Sequence, residues 1–263
     1  MDTTEGHNIL VATRHGPMLC NRHDIYVGRS LIEYGDYGQE EAEVLCQIAQ
    51  PGQTVVEVGA NIGSLTVPLA QRIGPSGRLI AFEPQRLVFQ TLCANLALNS
   101  LTNAEAHWAG LSDKAGTLTI PDLAPDQAYN FGGVPMGGEG VQVPVRRLDD
   151  LALAECHLLK IDVEGMEAAV LRGAVDTILR CRPTVYTEND RAERAPELIT
   201  LLQSFGYRMF WHISPLYRRD NFRDNPQDVF GNIVSLNMLC TPPGRGIRVE
   251  GLREVRSPYD RPL

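Results

Sequence analysis

The chain has 263 residues, of which 43% are hydrophobic and 21% are charged. This composition supports a sizeable core and excludes global disorder. Asp and Glu together number 32 against 24 Lys and Arg, which gives a formal net charge of −8. Binding to a phosphate backbone needs a basic face, so we do not expect nucleic acid as a partner.

The six cysteines stand singly, and no C-x-x-C pair occurs. This spacing argues against a zinc ribbon and against a disulfide framework. Residues 1–10 are polar, and no apolar run approaches the roughly 20 residues that span a bilayer. We therefore expect a cytoplasmic protein with reduced thiols and no membrane partner. A homo-oligomer is compatible with the sequence, which does not decide the oligomeric state.

The first half of the chain alternates between strands and helices. Residues 1–33 lack a clear period and are predicted to form an irregular N-terminal extension. After it, the apolar spacing predicts a helix over 39–50, a strand over 53–58, a helix over 64–73, a strand over 78–82, a helix over 85–98 and a strand over 104–110. Strands that alternate with helices are typical of right-handed crossover units on a parallel sheet.

The second half interrupts this alternation and then resumes it. Strands over 117–120 and 141–145 flank a Pro- and Gly-rich loop, which predicts a short inserted hairpin. The remaining predicted elements are a strand over 158–163, helices over 167–174 and 175–180, a strand over 184–187, a helix over 196–205 and strands over 207–213 and 232–239.

These elements together predict an α/β fold. We expect a Rossmann-like, doubly wound and mostly parallel seven-stranded sheet with an antiparallel C-terminal strand. The expected domain covers residues 34–241. Residues 242–263, which are rich in Pro and Gly at their start, are predicted to form a loose tail.

A glycine-rich turn follows the first predicted strand of the sheet. Residues 55–63 are Val-Val-Glu-Val-Gly-Ala-Asn-Ile-Gly, and open α/β sheets bind ligands beyond such strand ends. A dinucleotide fingerprint would have a second glycine where Asn61 stands. Glu57 adds a carboxylate that repels a pyrophosphate and suits an ammonium or a sulfonium cation.

The next predicted strand ends in Ala-Phe-Glu-Pro, residues 81–84. Glu83 follows Gly59 by 24 residues. A carboxylate at this strand end can accept hydrogen bonds from both hydroxyls of a ribose. The two features together therefore predict a ligand that carries an adenosine, although either alone would also suit a turn with a solvated acid.

Three segments together resemble class I S-adenosylmethionine-dependent methyltransferases and, more narrowly, the FkbM family. They are residues 57–63, 81–84 and 159–165, the last being Leu-Lys-Ile-Asp-Val-Glu-Gly. Residues 95–99 and 143–151 are also similar to the family pattern, so that the resemblance extends over residues 32–239. It implies S-adenosylmethionine as the cofactor and methyl transfer to a hydroxyl of a sugar, a glycan or another small molecule. N-methylation stays open, because the sequence does not show the acceptor atom.

The resemblance also implies a set of cofactor contacts. The turn after the first strand would surround the methionine part, and Glu83 would hold the ribose. The turn at residues 110–112 would lie by the adenine, and the acid that ends the fourth strand would contact the methionine amine or the acceptor. The expected cofactor-binding residues are Glu57, Gly59, Ala60, Asn61, Gly63, Glu83, Pro84, Leu111, Ser112 and Asp162.

The acceptor side is expected at the later strand ends. A base that removes the hydroxyl proton assists such a transfer, and the candidates are His212, Asp162 and Glu188, although a lone histidine on a strand is more often structural. The long link over 214–231 carries aromatic, Arg and Asn side chains, and long loops are often functional. The expected substrate-binding residues are Glu164, Asn130, Trp211, Tyr217 and Asn221.

Three other interpretations of the same residues were weighed. Acids at the fourth and fifth strand ends faintly resemble the magnesium site of catechol-type O-methyltransferases, but we predict no metal. An NAD-dependent oxidoreductase is a second interpretation, against which Asn61 counts. The third is a non-catalytic protein that binds the cofactor without turnover.

Overall fold

The computed structural model describes residues 6–134, 137 and 139–262. Residues 1–5 of the predicted extension, residues 135, 136 and 138 of the inserted loop and residue 263 of the predicted tail lie outside the described part. Within that part, no helix combines the length and the apolar character that crossing a bilayer requires.

The chain begins with a hairpin and a helix. Strand β1 (Asn8–Thr13) pairs antiparallel with β2 (Gly16–Asn21), and helix α1 (Val27–Tyr34) follows. The prediction of an irregular segment over 1–33 is therefore wrong for the described residues. The polar residues that obscured the strand pattern are Arg14 and His15, which form the two-residue turn of the hairpin.

Helices and strands then alternate as the sequence predicts. The next elements are α2 (Gln39–Ile48), β3 (Thr54–Val58), α3 (Thr66–Ile73), β4 (Arg78–Phe82), α4 (Arg86–Leu98) and β5 (Ala104–His107). The insertion is a small three-stranded sheet of β6 (Gly110–Leu111), β7 (Gly116–Ile120) and β8 (Val141–Arg146), which a 3₁₀ turn over Leu148–Leu151 follows. The predicted inserted hairpin corresponds to β7 and β8, which pair antiparallel.

The second half of the main sheet completes the fold. Its elements are β9 (Leu158–Ile161), α5 (Glu167–Arg172), α6 (Val175–Cys181), β10 (Thr184–Glu188), α7 (Ala195–Ser204), β11 (Arg208–Pro215), β12 (Val234–Thr241) and β13 (Arg253–Glu254). The strand order is β5-β4-β3-β9-β10-β12-β11-β13. The first five strands are parallel, and β12 runs antiparallel between β10 and β11. The Rossmann-like prediction is confirmed.

The sheet has one strand more than predicted. Strand β13 pairs with β11, and the neighbouring Val255 is buried. The Oδ2 atom of Asp260 also accepts a hydrogen bond from Trp211 Nε1 at 3.4 Å. The prediction of a loose tail is therefore wrong for these residues, because they cover the edge that β11 would otherwise leave open.

The strand order places a crevice at one end of the sheet. The chain leaves β3 toward β4 and β5 on one side, and it returns to β9 and β10 on the other. The connections that leave β3 and β9 therefore run in opposite directions from the carboxyl ends of these two neighbouring strands, and open α/β sheets bind ligands at such a point. Two buried apolar clusters, one on each face of the sheet, hold these strand ends in place.

Candidate active site

Three cavities lie side by side at the carboxyl ends of β4, β3, β9 and β10. We call them the apolar cavity, of about 240 Å³, the middle cavity, of about 50 Å³, and the acidic cavity, of about 250 Å³. The apolar and middle cavities share Gly59, Pro84 and Val163 as wall residues. The middle and acidic cavities share Gly132, Asp162 and Glu164. The shared walls make the three cavities one continuous cleft.

The turn after β3 is fixed by the backbones of its neighbours. The amides of Gly59 and Ala60 both donate to the carbonyl of Phe82, at 2.9 and 3.0 Å. Gly59 has a φ of +80°, and a Cβ at this position would stand 1.8 Å from the carbonyl oxygen of Asp162. Only glycine fits here, because both the conformation and the approach of β9 exclude a side chain.

Glu83 faces the middle cavity from the end of β4. Its Oε2 accepts a hydrogen bond from the amide of Asn61 at 3.0 Å, and its Oε1 accepts one from the amide of Gln85 at 2.8 Å. Burial outweighs these hydrogen bonds and raises the pKa of Glu83 to about 7. The two amides fix the orientation of the carboxylate toward the cleft.

Lys160 of β9 is a buried cation that the sequence analysis did not single out. Its Nζ donates to the carbonyl of Gly59 at 2.9 Å and lies 3.3 Å from Asp162 Oδ2 and 3.7 Å from Glu57 Oε1. Burial alone would lower the pKa of Lys160, but the surrounding carboxylates outweigh it and raise this pKa. A charged residue inside the apolar strand Leu158–Ile161 was the signal that could have revealed it.

Glu57 is fully buried under the same turn. Its Oε2 accepts a hydrogen bond from Thr66 Oγ1 at 2.7 Å, and burial raises its pKa against the opposing effect of Lys160. Glu57 also lines the acidic cavity. Glu57, Lys160 and Asp162 thus form a charged cluster beneath the turn after β3.

The turn after β9 carries the next two acids. Glu167 Oε1 accepts hydrogen bonds from the amides of Gly165 at 2.9 Å and Val163 at 3.3 Å, which closes the turn onto α5. Glu164 adopts a φ of +55° and pairs with Arg191. Burial raises the pKa of Glu164, and the pairing with Arg191 opposes this shift.

The ends of β10 and β12 supply a second pair of polar groups. Glu188 and Asn237 are directly opposite each other in the antiparallel register, so their side chains point to the same face. Both line the acidic cavity. Glu188 Oε2 and Asn237 Nδ2 are buried and make no hydrogen bond within the described residues. Burial, together with the charge of Asp162, holds the pKa of Glu188 well above its ordinary value.

Three remote segments cover the acidic cavity. They are α1 with the residue before it, the loop around Asn130, and the link between β11 and β12 together with the start of β12. Their lining residues are Tyr26, Val27, Asn130, Gly132, Gly133, Leu216, Ile233, Val234 and Ser235. Phe131 anchors the loop, because its ring is buried in a cluster with the N-terminal hairpin. Asn130 lines the cavity, and its Oδ1 accepts a hydrogen bond from the amide of Gly133 at 3.0 Å.

The N-terminal segment and the link are joined at Asp36. Its carboxylate accepts hydrogen bonds from Arg14 at 2.8 and 2.9 Å and from the amide of Phe222 at 2.7 Å. Arg14 also donates to the carbonyl of Asp220 at 2.7 Å. These contacts make the N-terminal segment, which the sequence analysis treats as an extension, part of the wall of the cleft.

Most of the expected cofactor residues lie on the cleft. Leu111 and Ser112 line the apolar cavity, Pro84 lines the apolar and middle cavities, and Ala60 and Asn61 line the acidic cavity. Gly63 differs. It has a φ of +92°, and a Cβ there would stand 2.9 Å from Leu92 Cδ1, so Gly63 permits close packing of α4 and does not line the cleft.

Four expected acceptor-side residues lie elsewhere. His212 is buried, its Nδ1 is 2.7 Å from the hydroxyl of Tyr186, and burial lowers its pKa. Trp211 packs in the core on the face of the sheet opposite to that of His212. The Tyr217 hydroxyl donates to the carbonyl of Pro226 at 2.8 Å, and Asn221 donates to two carbonyls of its own loop.

The physical reason for the difference is the position of β12. Asn237 of β12 lies opposite both Glu188 of β10 and His212 of β11. His212 is therefore two strand spacings, roughly 9–10 Å, from the strand that ends at the cavity. The side chains of the link hold its own loop and the N-terminal segment together instead of facing the cleft.

The described residues include no group of three or more His, Cys, Asp or Glu side chains arranged to hold a metal ion. The acidic cavity is instead lined by Glu41, Glu57, Asp162, Glu164, Glu188 and Asp190. Among the described residues of its wall, Lys160 is the sole cation. The cavity therefore favours a ligand that carries positive charge.

The sheet order and the cleft at the strand ends are those of an open, mostly parallel Rossmann-like fold. Residues 57–209 match the family model described as the methyltransferase FkbM domain, and the chain belongs to this family. The match covers the turn after β3 and the three acid-bearing strand ends that follow it, those of β4, β9 and β10.

Curated relatives include two fungal proteins. Methyltransferase 1 of Beauveria bassiana (strain ARSEF 2860) is 30% identical over 146 residues, which are 46% of this chain and 58% of that protein. Methyltransferase sdnD of Sordaria araneosa is 28% identical over 193 residues, which are 58% of this chain and 73% of that protein. The match thus spans little more than half the length of the Beauveria protein.

A crystal structure of methyltransferase FkbM from Methylobacillus flagellatus KT is also similar. The two share 18% sequence identity with a TM-score of 0.48, and the match covers 76% of this chain and 50% of that chain.

Proposed function

We propose that the protein transfers a methyl group from S-adenosylmethionine to a hydroxyl group of a small molecule. The pair of Glu188 and Asn237 carries this proposal, because it offers one free acceptor and one free donor side by side in the acidic cavity. A hydroxyl group both donates and accepts a hydrogen bond, and it therefore satisfies both atoms at once.

Other acceptor groups satisfy this pair less well. The neutral amine that N-methylation requires has a single lone pair, which cannot accept from Asn237 and attack the methyl group at once, whereas a hydroxyl oxygen has two lone pairs. A carboxylate or a phosphate would accept from Asn237 and would be repelled by Glu188 and the other acids of the wall. The pair thus favours O-methylation over N-methylation and disfavours a phosphate-rich acceptor.

The residues along the cleft fit the cofactor in three parts. The apolar cavity, with Leu111 and Met166 on its wall, suits an aromatic base. Glu83 faces the middle cavity with a fixed carboxylate, as recognition of a ribose diol requires. The acidic cavity suits a sulfonium and an ammonium cation. When bound, the cofactor supplies a methyl group on a positively charged and thus activated leaving group.

The residues of this chain align the acceptor and take its proton. Asn237 would orient the acceptor oxygen by donating to it, and Glu188 Oε2 would take the hydroxyl proton as the oxygen–methyl bond forms. A carboxylate with a raised pKa is a stronger base than an ordinary one, so burial of Glu188 serves this role. Alignment of the two reactants contributes much of the remaining acceleration.

The test is a screen of alcohols with S-adenosylmethionine that carries a deuterated methyl group. We expect a product whose mass rises by one labelled methyl group, located on an oxygen by NMR. A label on nitrogen or carbon would contradict the proposal. Binding of S-adenosylhomocysteine without any labelled product would favour the non-catalytic alternative, and binding of NAD in its place would favour the oxidoreductase.

A further inference from the structure

Glu41 is a buried acid of the acidic cavity that has no role in the proposed transfer. It lies in the first turn of α2, is 6% exposed and lines the cavity. Asn237 and Ser235 of β12 are its polar neighbours. Within the described residues, no Lys, Arg or His forms an ion pair with it.

Glu41 lines the same cavity as Ala60 and Asn61 of the turn after β3. A Cβ on Gly38 would be 3.7 Å from Glu41 Oε1 and 3.7 Å from Leu65 Cδ2, so the side chains of Glu41 and Leu65 are neighbours beside Gly38. Leu65 immediately precedes α3 and also lines the cavity. Glu41 thus faces the region that the methionine part of the cofactor would occupy.

The surroundings leave Glu41 without a cation of its own. Lys160 is already engaged by Gly59, Asp162 and Glu57. Burial and the charge of Asp162 raise the pKa of Glu41 to about 7. Lys160, Asn237 and Ser235 oppose this shift only in part, and burying a carboxylate without a cation costs free energy that a cationic ligand would offset.

We propose that Glu41 binds the ammonium group of the methyl donor's amino-acid part. The inference rests on the proposed function, because it takes S-adenosylmethionine as the ligand. The sulfonium group carries no N–H, so the ammonium is the cation of the donor that can give a carboxylate a charge-assisted hydrogen bond. An ammonium on the acceptor would offer the same chemistry, and the experiment separates the two sources.

The experiment compares two ligands by isothermal titration calorimetry. S-adenosylhomocysteine carries the amino-acid part, and 5′-methylthioadenosine has the same adenosine and sulfur without it. We expect Glu41→Gln to weaken binding of S-adenosylhomocysteine about 10- to 100-fold, since hydrogen bonds between charged groups contribute in this range. Binding of 5′-methylthioadenosine should change less than about twofold.

Glu40→Gln is the matched control. It removes one negative charge from the same helical turn, but Glu40 does not line the cavity. We expect this variant to bind both ligands as the wild type does. Glu41→Asp keeps the charge on a shorter side chain and should lose less affinity for S-adenosylhomocysteine than Glu41→Gln.

Each remaining outcome overturns the inference. Unchanged binding of S-adenosylhomocysteine by a folded Glu41→Gln protein would exclude the ammonium contact. An equal loss for both ligands would make Glu41 a support of the cavity wall. An effect on the KM of the acceptor alone would assign the ammonium to the acceptor. If the wild type binds neither ligand, the proposed function itself fails.

Discussion

The two ends of the cleft are built in different ways. At the end that we propose for the cofactor, called the cofactor end, the turns after β3, β4 and β9 come from neighbouring parallel strands, and backbone hydrogen bonds fix them, as at Gly59 and Glu83. At the end that we propose for the acceptor, called the acceptor end, side chains from β10 and β12 meet three remote segments. The first end depends on local motifs, whereas the second depends on how distant parts of the chain come together.

The two ends should differ in how well they tolerate mutation. We expect the cofactor end to tolerate little substitution, because backbone groups hold the turn after β3 and the carboxylate of Glu83, and a replacement would have to keep these hydrogen bonds. At the acceptor end, the lining side chains of the link, such as Leu216 and Ile233, can be replaced without disturbing the sheet. We therefore expect acceptor specificity to vary more readily than cofactor binding.

The largest effect on stability is expected from a substitution at the cofactor end. In Gly59→Ala, the new Cβ would stand 1.8 Å from the carbonyl oxygen of Asp162 at a φ of +80°. We expect the free energy of unfolding to fall by about 3 kcal/mol or more, since two strands must separate. Urea denaturation measures it. Gly38→Ala is the control, because Gly38 is left-handed with φ +59° and ψ +36°, a Cβ there would be 3.7 Å or more from its neighbours, and the variant should lose only about 1 kcal/mol. Equal losses in the two variants would show that the clash at Gly59 is relieved easily.

The second effect concerns the acceptor end. Glu188→Gln should lower kcat by roughly 10²–10⁴-fold with little change in the Kd of S-adenosylhomocysteine, because it removes the proton acceptor. In the wild type, kcat should fall as the pH falls through the raised pKa of Glu188, since the protonated carboxyl cannot take a proton. The variant should lose this dependence. A kcat within about threefold of the wild type, with the same pH profile, would exclude Glu188 as the base.

The third effect sharpens the role of the middle cavity. Glu83→Ala should weaken binding of S-adenosylhomocysteine by roughly 1–3 kcal/mol, the usual cost of losing a charge-assisted acceptor. Calorimetry measures it, and the melting temperature shows whether the variant is folded. The alanine also frees the amides of Asn61 and Gln85, so Glu83→Gln, which keeps one acceptor oxygen, should lose less. Unchanged affinity in both folded variants would remove Glu83 from the ribose site.

The smallest effect is expected at His212. Its Nδ1 is engaged with the hydroxyl of Tyr186, and it lies two strands from β10. His212→Gln should therefore change kcat by less than about threefold, while the loss of the buried contact lowers stability by about 1 kcal/mol. Steady-state kinetics decide the point. A drop of 10²-fold would assign the proton acceptor to His212 after all.

The sequence predicted the turn after β3 and the acid at the end of β4 at the positions that they have in the fold, because the signals for both are contiguous; their role in cofactor binding stays a prediction. The motif from Glu57 to Gly63 and the acid at Glu83 stand beside the strands that they terminate, and β4 has the predicted bounds. The acceptor end depends on long-range register. The sequence order places β11 after β10, but β12 lies between them, so Asn237 was missed and His212 was favoured. Glu41 and Lys160 were not predicted as site residues, because only the fold shows that they are buried beside other carboxylates.

The hydrogen bonds at Asp36 affect the order in which the chain folds during its synthesis on the ribosome. Arg14 and Asp36 are synthesised early, whereas their partners at residues 220 and 222 emerge near the end of translation. The N-terminal hairpin can pack on α4 early, through the hydrogen bonds between Leu19 and Asn95, but its hydrogen bonds to residues 220 and 222 have to wait for the link. Contacts between such distant residues form slowly. In the nascent chain, the turns of the cofactor end would thus form first, and the contacts of the link at the acceptor end would form last.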